Sequence, residues 1–90
     1  FELGFRIMAL ATPEDAEKFD LYVDRVYRYS EAWSRGLRAD QQILKIQEEK
    51  VEDLSELEEL MRRNLNEKGS VTLEIVNQEG AHGFIELKQN

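Results

Sequence analysis

The sequence predicts a mainly β domain: a mostly antiparallel, partly open barrel or sandwich capped by one long helix and one or two short ones. Three observations lead there. Apolar and polar residues alternate with the period of a strand, most cleanly where Val71, Leu73 and Ile75 interleave with Thr72 and Glu74. A single stretch, residues 53–66, keeps helical spacing over several turns. The order of elements lacks the full helix between successive strands that a parallel α/β sheet requires.

Residues 3–10 read as a strand opening on a glycine turn, with Phe5, Ile7 and Ala9 on one face and Arg6, Met8 and Leu10 on the other. Thr12-Pro13-Glu14-Asp15 has the chemistry of a helix start: a hydroxyl cap, a proline at the first helical position and two acids in the first turn. A short helix to about Phe19 is therefore expected. Leu21 to Tyr27, rich in Val, Leu and Tyr, reads as the second strand. Ser30 to Gly36 predicts one helical turn, capped by Ser30 and stopped by Gly36. Gln42–Ile46 is the third strand, followed by a polar turn, residues 47–50, that lacks the Gly or Asn such turns favour.

The helix from Asp53 is the clearest element. Asp53 and Glu56 resemble a capping box, and Leu54, Leu57, Leu60, Met61 and Leu65 recur at steps of three and four. Glu58/Arg62 and Glu59/Arg63 are candidate i,i+4 pairs on its solvated side. Lys68-Gly69-Ser70 ends it. A strand from Val71, a loop at residues 78–81 and a last strand from His82 to Lys88 complete a single domain over residues 1–90.

Composition excludes several functions. The net charge of −7 opposes binding to a nucleic-acid backbone, and the cluster Arg25, Arg28, Arg35 and Arg38 is diluted by Asp20, Asp24 and Glu31 into ordinary surface. Without cysteine there is neither a disulfide framework nor a thiolate metal site. No apolar run reaches the ~20 residues that span a bilayer. A start at Phe1, inside a predicted strand, points to a fragment of a longer protein.

No catalytic constellation emerges. His82 stands alone beside a hairpin, and Ser30, Ser34, Ser55 and Ser70 occupy turn or cap positions. Glu48, Glu49, Glu52 and Asp53 cluster in a polar turn with nothing apolar to bury them and raise a carboxyl pKa, and no calcium-loop spacing or phosphate-binding glycine loop is present. The expectation is no catalytic residue, no metal and no cofactor.

Four stretches, taken in order, resemble a PDZ domain of the bacterial arrangement. Glu2-Leu3-Gly4-Phe5 resembles the family's apolar-Gly-apolar carboxylate-binding loop. Ser30 to Leu37 resembles its Ser-Pro-Ala…Gly-Leu segment, with Glu31 in place of the proline. Ile43-Leu44-Lys45-Ile46 with the turn and Val51 resembles the strand before the groove helix, with Asp40-Gln41 replacing the usual Gly-Asp. The helix from Leu54 and the strand from Val71 resemble the closing half.

The resemblance implies a module that binds C-terminal or extended peptide segments by strand addition along residues 5–8, so that Arg6 lies within the pairing stretch. Backbone N–H groups around Gly4 and Phe5 would hold the terminal carboxylate, and a side chain at position 4 would block its approach. Leu3, Phe5 and Ile7 would line the pocket for an apolar last residue, and Leu54, Glu58 and Met61 would line the groove from the helix. Helical spacing alone assigns Leu54 and Met61 to the core; only the resemblance moves them to the groove.

The arrangement, with the carboxylate loop near the start and two strands after the groove helix, resembles the PDZ domains of HtrA/Deg-type serine proteases. This implies a regulatory and substrate-recognition domain, in protein quality control, of a periplasmic or otherwise extracytoplasmic protease. The triad would lie elsewhere in the parent chain, and oligomerisation would come through that parent. Alternatives are a carboxyl-terminal processing protease, an intramembrane metalloprotease, a secretion scaffold with no enzyme attached, or a degenerate groove that only packs against neighbouring domains.

Overall fold

A computed structural model describes residues 3–15 and 17–89. Among them the chain forms β1 (Phe5–Ala11), β2 (Phe19–Val26), α1 (Glu31–Ser34), β3 (Gln42–Ile46), β4 (Glu49–Lys50), α2 (Leu54–Lys68), β5 (Ser70–Val76) and β6 (His82–Lys88). The sheet is antiparallel throughout, in the order β1-β2-β3-β5-β6, and β4 folds back on β3. The predicted class, mainly β with one long helix and one short one, is the class observed.

Alternation places the core. Val71, Leu73 and Ile75 of β5 and Ile85 and Leu87 of β6 point inward with Phe5, Leu21, Val23, Ile43 and Ile46. The helix α2 closes this layer by burying Leu57, Leu60 and Met61, while Leu54 and Leu65 pack at its margin. Asp53 caps its start by accepting from the Glu56 N–H at 2.7 Å. Gly69, at φ +73°, ends it in the left-handed conformation that an L-residue avoids. Buried Asn64 donates Nδ2–H to the Leu60 carbonyl at 2.8 Å, which satisfies its amide within the helix. No described helix is long and apolar enough to cross a membrane.

One expectation fails, and another is met in part. The helix anticipated between Thr12 and Phe19 does not form; part of it, Ala16, lies outside the described residues. Thr12 Oγ1 instead donates to the Asp15 carbonyl at 2.7 Å and accepts from the Asp15 N–H at 3.1 Å, which closes a tight turn, and Phe19 opens β2 opposite Ala11. The same hydroxyl that caps helices also closes such turns. Here β1 and β2 return antiparallel with pairing carried to Ala11↔Phe19, and that strand pairing decides between the two.

The other is the turn expected at residues 47–50, which forms at Gln47 and Glu48 with an unexpected short strand, β4, after it. Gln47 (φ +51°) and Glu48 (φ +68°) both occupy the left-handed region that a two-residue hairpin turn demands. Gln47 holds this geometry from the next strand. Its N–H donates to the Thr72 carbonyl at 2.9 Å, and its Oε1 accepts from the Thr72 N–H at 2.6 Å. Glu48 is exposed and makes no hydrogen bond or ion pair among the described residues. Glu48→Gly is expected to stabilise the domain by about 0.5–1 kcal/mol, because the left-handed strain there exceeds the added chain entropy. Thermal unfolding followed by circular dichroism checks it; an unchanged or lowered Tm contradicts it.

Candidate functional site

β1 is an edge strand. It pairs with β2 from Phe5↔Val26 to Ala11↔Phe19, with an extra residue, Asp24, bulged on β2, and no strand among the described residues takes its other side. α2 runs past that other side. Between them lies a cleft of about 190 Å³ lined by Phe5, Arg6, Ile7, Leu54 and Glu58. The sequence-expected site residues are thus partly assembled. Phe5, Arg6, Ile7, Leu54 and Glu58 meet in the cleft, whereas Leu3 and Met61 are buried in the core. Glu58 is not engaged by Arg62; Glu59 and Arg63 alone form an expected helix pair, at 2.8 Å. Larger concavities exist, one of about 420 Å³ including Gln47, Lys68, Thr72 and Phe84, but it sits on the solvent face of β5 and β6, where paired strands offer side chains only.

At the head of the cleft the chain turns at Gly4, with φ +91°. The turn is held from behind by the segment leading into α1. The Leu3 carbonyl accepts from the Ala32 N–H at 3.1 Å, and the Gly4 carbonyl accepts from the Tyr27 N–H at 2.8 Å and Ser30 Oγ–H at 3.3 Å. Ser30 Oγ also accepts from the Trp33 N–H at 3.2 Å, so one hydroxyl caps α1 and secures the turn. In a planar trans peptide the carbonyl and the following N–H point in opposite directions. Directing the Leu3 carbonyl toward α1 therefore aims the Gly4 N–H away from it. Glu2 of the loop motif lies outside the described residues.

The need for glycine differs from the expected one. A Cβ at position 4 would overlap the Cβ and Oγ of Ser30, not obstruct the cleft. Glycine is required by the positive φ and by the close approach of α1. The double role of Ser30 was beyond sequence reading, since its partner is 26 residues away and a serine before a helical turn already has a sufficient explanation as a cap.

Glu31, at the position where a proline was expected, is a structural tie. Its Oε2 accepts from Arg35 Nε at 2.9 Å and from the Lys88 backbone N–H at 2.8 Å, and so attaches α1 to β6. The Lys88 N–H first, and Arg35 second among the favourable contacts, hold its carboxyl below the ordinary carboxylate range against the opposing effect of desolvation. His82 is exposed at the start of β6, and among the described residues no three His, Asp or Glu side chains converge as metal ligands.

No protein-family model and no curated protein sequence matches the chain. A solved structure does: the crystal structure of the HtrA3 PDZ domain bound to a phage-derived ligand, FGRWV, superposes with a TM-score of 0.74 at 20% identity, over 96% of this chain and 81% of that one. The chain has the PDZ fold. The glycine turn, the edge strand and the long helix of this PDZ fold are the elements between which the cleft lies.

Two outcomes follow. Gly4→Ala is expected to destabilise the fold by about 2 kcal/mol or more, the sum of left-handed strain and overlap with Ser30. Chemical denaturation measures it, and a wild-type midpoint contradicts the account. For Glu31 the folded-state pKa is depressed, so its stabilisation is present at neutral pH and lost as pH falls through that pKa. Glu31→Gln should lower Tm at pH 7, with the gap from wild type closing on acidification below the ordinary carboxylate range. A gap that stays constant with pH would remove the charge from the explanation.

Proposed function

We propose that this chain is a non-catalytic peptide-binding module that captures an extended segment, preferentially a free C-terminus, by strand addition to β1. The observation that carries the proposal is the juxtaposition of an edge strand with α2 across an apolar-floored cleft, headed by a preorganised glycine turn. The likeness to a PDZ domain solved with the peptide FGRWV, which ends in valine, supports the reading.

On this reading the carboxylate lies against the Gly4 turn. The ligand runs antiparallel to β1 from there, and its last side chain settles over Phe5 and Ile7 with Leu3 and Met61 beneath. Leu54 and Glu58 flank the upstream residues, and Glu58 prefers a basic or hydroxyl side chain among them. About four strand hydrogen bonds at ~1 kcal/mol each and one buried aliphatic side chain at ~2 kcal/mol total near 6 kcal/mol, a Kd of roughly tens of micromolar. Such affinity suits a tether or sensor acting beside a second site on the same partner.

The resemblance in the sequence and the fold likeness to HtrA3 further support an HtrA/Deg-type serine protease as the parent, with this domain recognising substrates outside the cytoplasm. The coding sequence flanking these residues tests that attachment: a trypsin-like domain upstream supports it, and a zinc motif with membrane spans overturns it.

Isothermal titration with six-residue peptides ending in valine tests the binding mode. The free acid is expected to bind in the tens of micromolar and its C-terminal amide at least about tenfold more weakly, from loss of charge-assisted hydrogen bonds. Equal binding of the two refutes the carboxylate assignment. Glu58→Lys should shift preference from arginine to glutamate upstream of the terminus by about fivefold, the scale of an exposed ion pair; an unchanged preference removes Glu58 from the site.

A further inference from the structure

The segment that braces the Gly4 turn carries a second surface. On it Tyr29 is 82% exposed, at φ +68°, and its ring lies 5.3 Å from that of Trp33. The guanidinium of Arg38 stacks over Trp33 at 4.7 Å and donates to the Trp33 and Leu37 carbonyls at 2.8 and 2.7 Å, so it is fixed in place. Near the end of β2 Arg25 stacks over the half-exposed Tyr27 at 5.1 Å, and exposed Arg28 sits between the two tyrosines in sequence. Among the described residues none of Arg25, Arg28 and Arg38 has a carboxylate within 4 Å, although the chain carries 19 acids against 12 lysines and arginines.

We propose that this arginine–aromatic surface, formed by the β2–α1 loop, α1 and Arg38, docks a short acidic segment of a partner polypeptide. Tyrosine, tryptophan and arginine are the residues that dominate binding energy at protein interfaces. Rings and guanidinium planes already stacked lose little side-chain entropy on contact. Arg25, Arg28 and Arg38, without carboxylate partners, supply local charge complementarity despite the chain's net charge of −7. A nucleic acid would also stack on such rings, but its dense phosphates would outnumber the few arginines and meet Asp24 and Asp40, their neighbours in sequence. A few carboxylates match the few arginines present. The surface is independent of the groove, and its occupant needs no free C-terminus.

The test uses the intact chain and its single tryptophan, Trp33, as the reporter. The probes are an N-acetylated, C-amidated heptapeptide Gly-Glu-Asp-Glu-Asp-Glu-Gly and its Gln/Asn counterpart; the blocked ends keep both from a carboxylate site. The acidic probe is expected to shift Trp33 emission with a Kd on the order of 100 µM, weakening at least about tenfold between low and high salt, and the neutral probe to bind at least about tenfold more weakly. Arg28→Glu and Arg38→Gln, each checked by its melting curve, should each weaken the acidic probe about fivefold or more. Saturation with a valine-ending free-acid peptide should leave it bound.

Equal binding of both probes, or wild-type affinity in both arginine variants, overturns the proposal. So does displacement by the free-acid peptide, which would put the probe in the groove. Tighter binding of a single-stranded oligonucleotide would overturn it in favour of nucleic acid, and a concentration-dependent change in Trp33 emission without probe, with dimer in sedimentation, in favour of self-association.

Discussion

The hydroxyl of Ser30 is the contact on which the rest of the site depends. It donates to the Gly4 carbonyl and accepts from the Trp33 N–H, so it joins the glycine turn at the head of β1 to the first turn of α1. A turn that is to hold an anion must have its amides aimed before the anion arrives, because ordering them afterwards subtracts from affinity. With the Leu3 and Gly4 carbonyls both engaged toward α1, the peptide planes are set and the Gly4 N–H faces the other way. The glycine serves this indirectly. Its missing Cβ lets Ser30 approach, and Ser30 fixes the turn.

An exposed strand edge is normally a hazard, since it templates pairing with any other chain. Here the hazard is restricted by what stands beside it. α2 buries Leu57, Leu60 and Met61 in the core and leaves Leu54 and Glu58 at the margin, so β1 faces a wall at one cleft's width. The helix stands where a second sheet would have to pack against this edge. Arg6 and Glu58 add charge at the mouth, which further disfavours indiscriminate apolar pairing.

Much of this was legible in the sequence, and the boundary between what was and was not has a physical form. β3 and the long helix with its Asp53 cap and Gly69 stop were readable because local chemistry and hydrophobic period agree there. The Thr12 segment was misread because capping chemistry is shared by helix starts and by tight turns, and only the pairing of Ala11 with Phe19 chooses between them. The turn at Gln47 and Glu48 was half legible, since its left-handed residues are not the Gly or Asn that announce such turns, and Gln47 is held by Thr72 on another strand. For the site, the cleft residues on β1 and α2 came from family resemblance; periodicity alone puts Leu54 and Met61 in the core, and Met61 is indeed fully buried. The second partners of Ser30 and Glu31 escaped because Gly4 and Lys88 are distant in sequence; the arginine cluster was visible, but the stacking of Arg25 on Tyr27 and of Arg38 on Trp33 was not.

Those long-range contacts also explain how an open sheet stays partly closed. β1 and β6 are its two edges, separated by three strands, and neither has a neighbour strand beyond it among the described residues. α1, only four residues long, touches both: it takes the carbonyls of Leu3 and Gly4 at one edge through Ala32 and Ser30, and the N–H of Lys88 at the other through Glu31. A proline at position 31 would permit the helical turn but could not make the second attachment. The carboxylate there converts a turn into a strut, and the strut holds the Gly4 turn against β6 as well as against β1. Groove geometry in this chain is therefore a property of the whole sheet's closure, transmitted through one short helix whose outer face carries the arginine–aromatic surface.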